Sequence, residues 1–364
     1  MWQKGFLKQF QTSLMAAVGG IALSAALASS AHAEDSVNVS LFSWPGYAFM
    51  LLAEEKGLTP DLTINEQIIE DPMESFSLIV SGRLDATFST AEYAPIAAEQ
   101  KLPFKLVAFN NFGCGADKII VHPDIQQPSD LKGKQVAVLI GGLSHIYMGM
   151  WLEQNGVSYA DVEFANLIAD DAAAAMISGA VSGGEFWEPY AGHVLENLSG
   201  SRVVSDSSDP YIQSMGLMSD AIYFSDELIQ NRRDVALKLL KAVFDGHAYW
   251  KNNPAEANQI IADTLKFSVE DVQGILGAEA VDCSVGGFYG PFLTAARFCG
   301  VAPGDPGIGL SNGGIRGAWD IYVEWWNKFE MMTSQPPYEG GFDCSLLADL
   351  VNEGYSDGLE PPAQ

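Results

Sequence analysis

An α/β fold of two similar lobes around a cleft is what this sequence predicts, on three observations. Strand and helix patterns alternate through the first hundred residues and then begin again in the same order near Asp130. Landmark residues recur: Ser81-Gly82 matches Ser178-Gly179 and Tyr93 matches Tyr190, each at an offset of 97, while Gly57 matches Gly156 at 99. The composition, 48% hydrophobic and 18% charged over 364 residues, suits one large or two modest globular domains.

The elements follow in order. "SVNVSLFS" alternates as a strand, "WPGY" turns, and "AFMLLAEEKGL" reads as a helix ending at Gly57. "LTINEQII" is a strand, "DPMESFSLIVSG" a helix stopped by Gly82, "RLDATFST" a strand and "AEYAPIAAEQ" a helix. The second round is the strand "LKGKQVAVLI", the turn "GGLS", the helix "HIYMGMWLEQNGV", the strand "VEFANL", the helix "DDAAAAMISG" and the segment "EFWEP". "GLMSDAIYFS" then reads as a strand returning to the first lobe. A long helix capped by Ser225 or Asp226 follows, and two or three more complete the chain. The last of these, rich in aromatics ("WDIYVEWWNKFEMM"), is expected to pack on its own lobe. The predicted division is a leader over 1–33, the first part of lobe 1 over 34–125, lobe 2 over 126–215, and a return strand with helices mostly on lobe 1 over 216–364.

Lys4 and Lys8 precede the apolar run "LMAAVGGIALSAALA", and "AHA" then fits a small-x-small cleavage pattern. An exported, periplasmic protein cleaved after Ala33 is expected. The formal charge is −27, and −29 without the two lysines of the leader. So acidic a surface repels nucleic acid and anionic lipid, and offers no long-range attraction to anions. The four cysteines, Cys114, Cys283, Cys299 and Cys344, permit two disulfides in an oxidising compartment. Cys283 and Cys299, which bracket a Gly/Pro-rich loop, form the expected pair. None of the spacings is a zinc pattern, and no metal or cofactor is expected.

Ligands of open α/β sheets collect beyond the carboxyl ends of the strands. Four loops then point at one gap: Ser43 to Tyr47, Ser89-Thr90, Gly141 to His145, and Phe186 to Pro189. Helix starts supply free N–H groups and positive dipole ends for an oxyanion without an arginine. Ser89, Thr90 and Ser144 add hydroxyls, Trp44, Tyr47 and Trp187 add flat walls, and Glu188 can receive an ammonium or hydroxyl. Several of these residues have plainer uses: Glu188-Pro189 can simply begin a helix, His145 can pack in a core, and Ser144 and Thr90 can cap.

The blocks "WPGYAFMLLAEEKGL", "SGRLDATFSTAEYAPIAA", "DLKGKQVAVLIGGLSHIYMGMWLEQNGVSYADVEF", "DAAAAMISG" and "WEPY" together resemble the periplasmic solute-binding proteins of nitrate, taurine and aliphatic-sulfonate ABC transporters, a group that includes thiamine-pyrimidine-precursor binders. The resemblance implies a type II periplasmic-binding-protein fold, a ligand closed between the lobes, and a membrane permease as partner to a monomer. It carries over Trp44, Tyr47, Ser89, Thr90, Gly142, Ser144, His145, Trp187 and Glu188 as ligand-binding positions. The expected solute is a small organic anion or zwitterion, alkanesulfonate- or taurine-like; the alternative is an aromatic or pyrimidine-type solute between Trp44 and Trp187.

An enzyme of another class has one foothold. "GLSNG", Gly309 to Gly313, fits the G-x-S-x-G pattern of hydrolases, but the residues before Ser311, "GVAPGDPGIG", cannot form the strand that this motif needs. The sequence is therefore read as a binding protein without catalysis.

Overall fold

Two five-stranded sheets organise the chain in a computed structural model that describes residues 35–276, 292–304 and 315–359. Strands β1 (Asp35–Leu41), β2 (Leu62–Ile68), β3 (Ala86–Thr90) and β4 (Phe104–Phe112) come first. They are followed by β5 (Lys118–Val121), β6 (Gln135–Val138), β7 (Glu163–Asn166), β8 (Gly183–Phe186), β9 (Arg202–Asp206) and β10 (Ser219–Ser225). The first sheet has the order β2-β1-β3-β10-β4 and the second β7-β6-β8-β5-β9. In each, three parallel strands are joined by one antiparallel strand, β10 or β5, that arrives from the other sheet.

The internal repeat is visible in the backbone. Gly57 and Gly156 end corresponding helices at φ 67° and 73°, and Gly82 and Gly179 do so at 72° and 75°. That left-handed conformation costs a side chain energy and glycine very little. Ser81 Oγ donates to Leu78 O and Ser178 Oγ to Ala175 O, both at 3.0 Å.

Four strands, β4, β5, β8 and β9, are additions to the sequence reading. Because β5 hydrogen-bonds to β8 and β9, the chain changes sheets between Phe112 and Lys118, earlier than the boundary expected at 125/126. The long helix after β10 is two helices, Asp226–Asn231 and Arg233–Asn252, the first capped by Ser225 Oγ accepting from Leu228 N–H. Arg232 leaves the helical conformation at the joint, where its side chain reaches Asp85 at 2.7 Å and the Ser36 carbonyl. The Arg233–Asn252 helix crosses Phe49–Glu55 so closely that a Cβ on Gly246 would stand 1.8 Å from the Phe49 carbonyl oxygen.

The aromatic helix Ile315–Lys328 departs most from expectation, because it holds both sheets together. Toward the first, Trp326 Nε1 donates to the Glu92 carbonyl at 2.7 Å, and Tyr322 Oη donates to the Leu217 carbonyl at 2.7 Å. Toward the second, Trp325 and the following Phe329 press on Gly149, where a Cβ would lie 2.6 and 2.8 Å from their rings. Phe329 stacks on His145, Tyr159 Oη donates to the Lys328 carbonyl at 2.8 Å, and Lys328 pairs with Glu153 at 2.8 Å. A stripe of aromatics wide enough to serve two partners explains why one lobe does not suffice.

The disulfide expectation is corrected. Cys299 bonds to Cys344, fastening helix Phe292–Phe298 to helix Ser345–Asn352. Cys114 is also disulfide-bonded. Cys283, the leader and the "GLSNG" motif lie outside the described residues. Among the described residues, no helix is long and apolar enough to cross a membrane.

Candidate functional site

The carboxyl ends of β1, β2, β3, β6 and β8 converge, as parallel α/β sheets arrange them, and the two sheet-crossing segments close the same space. The resulting cleft encloses about 680 Å³ of space between its walls, part of it open to solvent. The loop after β1 gives Phe42 and Trp44, and the loop after β2 gives Glu70 and Pro72. The end of β3 and the helix beyond it give Thr90 and Tyr93. From the second sheet come Leu139, Leu143, Ser144, Glu185 and Trp187; the crossings and β10 add Gly113, Asp117, Met218 and Asp220.

All four loops singled out in the sequence therefore contribute, through Trp44, Thr90, Ser144 and Trp187. Their hydroxyls are arranged differently from an anion cradle. Thr90 Oγ1 donates to Glu92 Oε1 at 2.7 Å, and Ser144 Oγ accepts the Leu139 N–H at 2.9 Å. Trp44 is 5% exposed, and its indole N–H and that of Trp187 are buried with no partner among the described residues.

Five expected positions stand behind the lining. Tyr47 is fully buried, edge-on to Phe42, and donates its hydroxyl hydrogen to Asp220. Ser89 is buried in β3. Gly142 precedes the helix Leu143–Gln154 and abuts Tyr93, whose Oη would lie 3.2 Å from a Cβ there. His145 is a core residue: Phe329 stacks on it at 3.7 Å, Phe164 meets it edge-on at 4.7 Å, and burial lowers its pKa to about 3. Glu188 serves the protein, accepting Lys118 Nζ at 2.8 Å and the Gly192 N–H at 2.9 Å. Four other carboxylates line the cleft.

Those carboxylates are Glu70, Asp117, Glu185 and Asp220, and among the described residues lining the cleft none is lysine, arginine or histidine. Burial pushes all four up from the ordinary carboxylate range, Asp117 to about 6. Repulsion from Asp117 adds to the effect at Glu185 and Asp220, and repulsion from Glu188 adds to it at Asp117. Asp220 is held by Tyr47, and Glu70 Oε1 accepts the Ser43 N–H at 3.3 Å. Lys118, the nearest cation, is already engaged by Glu188 and the Gly115 carbonyl. A sequence signal for two of these acids existed. Glu185 in "GGEF" and Asp220 in "SDAIYFS" are single acids inside wholly buried strands, where a carboxylate is seldom placed without a purpose.

Comparison with known proteins agrees with this architecture. The model of the family described as NMT1/THI5 like matches residues 44–257. An aliphatic sulfonates-binding protein of Escherichia coli (strain K12) is 30% identical over 143 residues, 34% of this chain and 44% of that protein. The alkanesulfonate-binding protein SsuA of Xanthomonas axonopodis pv. citri, solved bound to MOPS, superposes with a TM-score of 0.63 at 14% identity, over 83% of this chain and 95% of its own. The periplasmic aliphatic sulphonate binding protein SsuA of Escherichia coli gives 0.64 at 16% identity, over 86% and 99%. This chain spans under half the length of the curated relative it matches, whereas the solved structures are covered almost end to end in fold. The family match over more than half of the chain places it in the NMT1/THI5-like family, and the superpositions show that its two sheets exchanging antiparallel strands around a cleft have the fold of the periplasmic sulfonate-binding proteins.

Proposed function

We propose that this is the exported solute-binding component of an ABC importer, and that it captures an aromatic or heteroaromatic solute rich in N–H donors. The observation that supports this most is the composition of the cleft: Phe42, Trp44, Tyr93 and Trp187 as walls, four carboxylates, and no basic side chain among the described lining. A sulfonate would face those carboxylates without a counter-charge, and the hydroxyl of Thr90 is turned to Glu92. The small organic anion expected from the sequence is therefore replaced by a solute with donors for the acids and an acceptor for the two unpartnered indole N–H groups.

In this reading one lobe contains β1 to β4 with β10, and the other β5 to β9. The lobes part to admit the solute, close on it, and reopen at a membrane permease. No bond is made or broken.

The test is to purify the protein from its own cells, denature it, and identify what is released by mass spectrometry. A planar nitrogenous compound is expected. Trp44→Ala should weaken its rebinding by about tenfold or more, loss of a stacking wall being worth over 1 kcal/mol. Release of an alkanesulfonate, or undiminished affinity in both Trp44→Ala and Trp187→Ala, overturns the proposal.

A further inference from the structure

Resting on that reading, we infer that the solute is a cation, an ammonium or amidinium group carried on a ring, and that Glu185 is its counter-ion with Asp117 and Asp220 beside it. Glu185 is 5% exposed and lines the cleft, and while its backbone pairs with Ile119 its side chain accepts no hydrogen bond from a described residue. A carboxyl group with so little water and no donor is held toward its protonated form, and a cation arriving beside it would draw it back to the charged one. Its neighbours worsen the imbalance. Asp117 and Asp220 share the cleft, Glu92 is fully buried behind Thr90, and Glu70 stands on the facing loop. Among the described residues Lys118 is the cation whose charge acts on this group, but its ammonium is fixed on Glu188 at 2.8 Å.

Two features choose an organic cation over a metal ion. Among the described residues no three His, Cys, Asp or Glu are placed to ligate one metal, so the acids are too dispersed for a point charge. A spread of acceptors suits the several N–H directions of an ammonium or amidinium. The walls agree as well, since the faces of Trp44, Trp187 and Phe42 attract a cation that has shed its water. The free indole N–H groups ask for an acceptor on the same molecule, which a ring nitrogen or carbonyl supplies.

Three pyridines of matched shape test the charge: 3-(aminomethyl)pyridine, a cation at pH 7.5, neutral 3-(hydroxymethyl)pyridine, and pyridine-3-sulfonate. Titration calorimetry and thermal melts would be run on the full mature protein, on Glu185→Gln and on Trp44→Ala. The amine should bind at least about tenfold more tightly than the alcohol, the value of one charge-assisted bond, and the sulfonate should not register. In Glu185→Gln the preference for the amine should fall below about threefold, while the melting curve stays cooperative. Equal binding of amine and alcohol, or an unchanged preference in Glu185→Gln, overturns the charge assignment and leaves the aromatic-solute reading standing. Tightest binding by the sulfonate, or no binding by any probe together with a native-like Trp44→Ala ligand content, removes both.

Discussion

Tyr47 gives its hydroxyl hydrogen to Asp220, a carboxylate 173 residues further along the chain. The bond ties the turn after β1 to the strand that returns from the second sheet, so the floor of the cleft is fixed from behind. Tyr47→Phe would leave Asp220, already pushed up by burial, with one donor fewer. A loss of about 1–3 kcal/mol in unfolding free energy is expected, measured by urea denaturation. An unchanged midpoint would show that the bond contributes nothing.

The acids set a pH dependence whose sign follows from burial. Glu92, lifted from about 4.5 to about 7, holds a proton in the folded state that the unfolded chain has released between those values. Unliganded stability is therefore greatest on the acid side of that window, falls as pH rises through it, and is flat above. Asp117, Glu185 and Asp220 act with the same sign. The melting temperature should drop from pH 5 to pH 8, and Glu92→Gln should remove about 3 kcal/mol of that slope. A melting temperature that rises over this range contradicts the assignment.

Glu188 and Trp187 are adjacent yet should behave differently. Glu188→Ala frees Lys118 and uncovers the Gly192 N–H, so it should lower stability by about 1–3 kcal/mol. Trp187→Ala should act mainly on solute affinity, read by calorimetry on the same preparations. The reverse pattern would make Glu188 the ligand-facing residue after all.

Gly246→Ala tests the helix crossing. With a Cβ 1.8 Å from the Phe49 carbonyl, the two helices must separate, and a loss of more than about 3 kcal/mol is expected. A native-like denaturation midpoint would mean that the crossing is looser than described.

Much of the fold was legible because glycine has few reasons to recur. Gly57 with Gly156, and Gly82 with Gly179, mark the same helix ends in each half, and their positive φ values explain the spacing. Strands β5 and β9 were hidden because they are short and pair with each other from far apart in the sequence. The cleft's walls were readable in Trp44 and Trp187, its charge much less so. Asp117 stands in the bend before β5, and only the meeting of two sheets brings it into one cleft with Glu185 and Asp220. Glu188 misled for the converse reason: its sequence neighbours resemble a ligand loop, yet a lysine 70 residues earlier claims it.

The aromatic helix has a mechanical consequence. Two chain crossings, at Gly113–Asp117 and at residues 207–218, would by themselves form a simple hinge. Trp326 anchored on Glu92 and Phe329 lying flat on His145 add a third fastening, just behind the lining of the cleft. Any rotation that draws Tyr93 away from Gly142 must also bend that brace or slide one ring across another. The effort of opening is thus set by side chains that no solute touches, and how widely the molecule gapes can be altered without changing what it recognises.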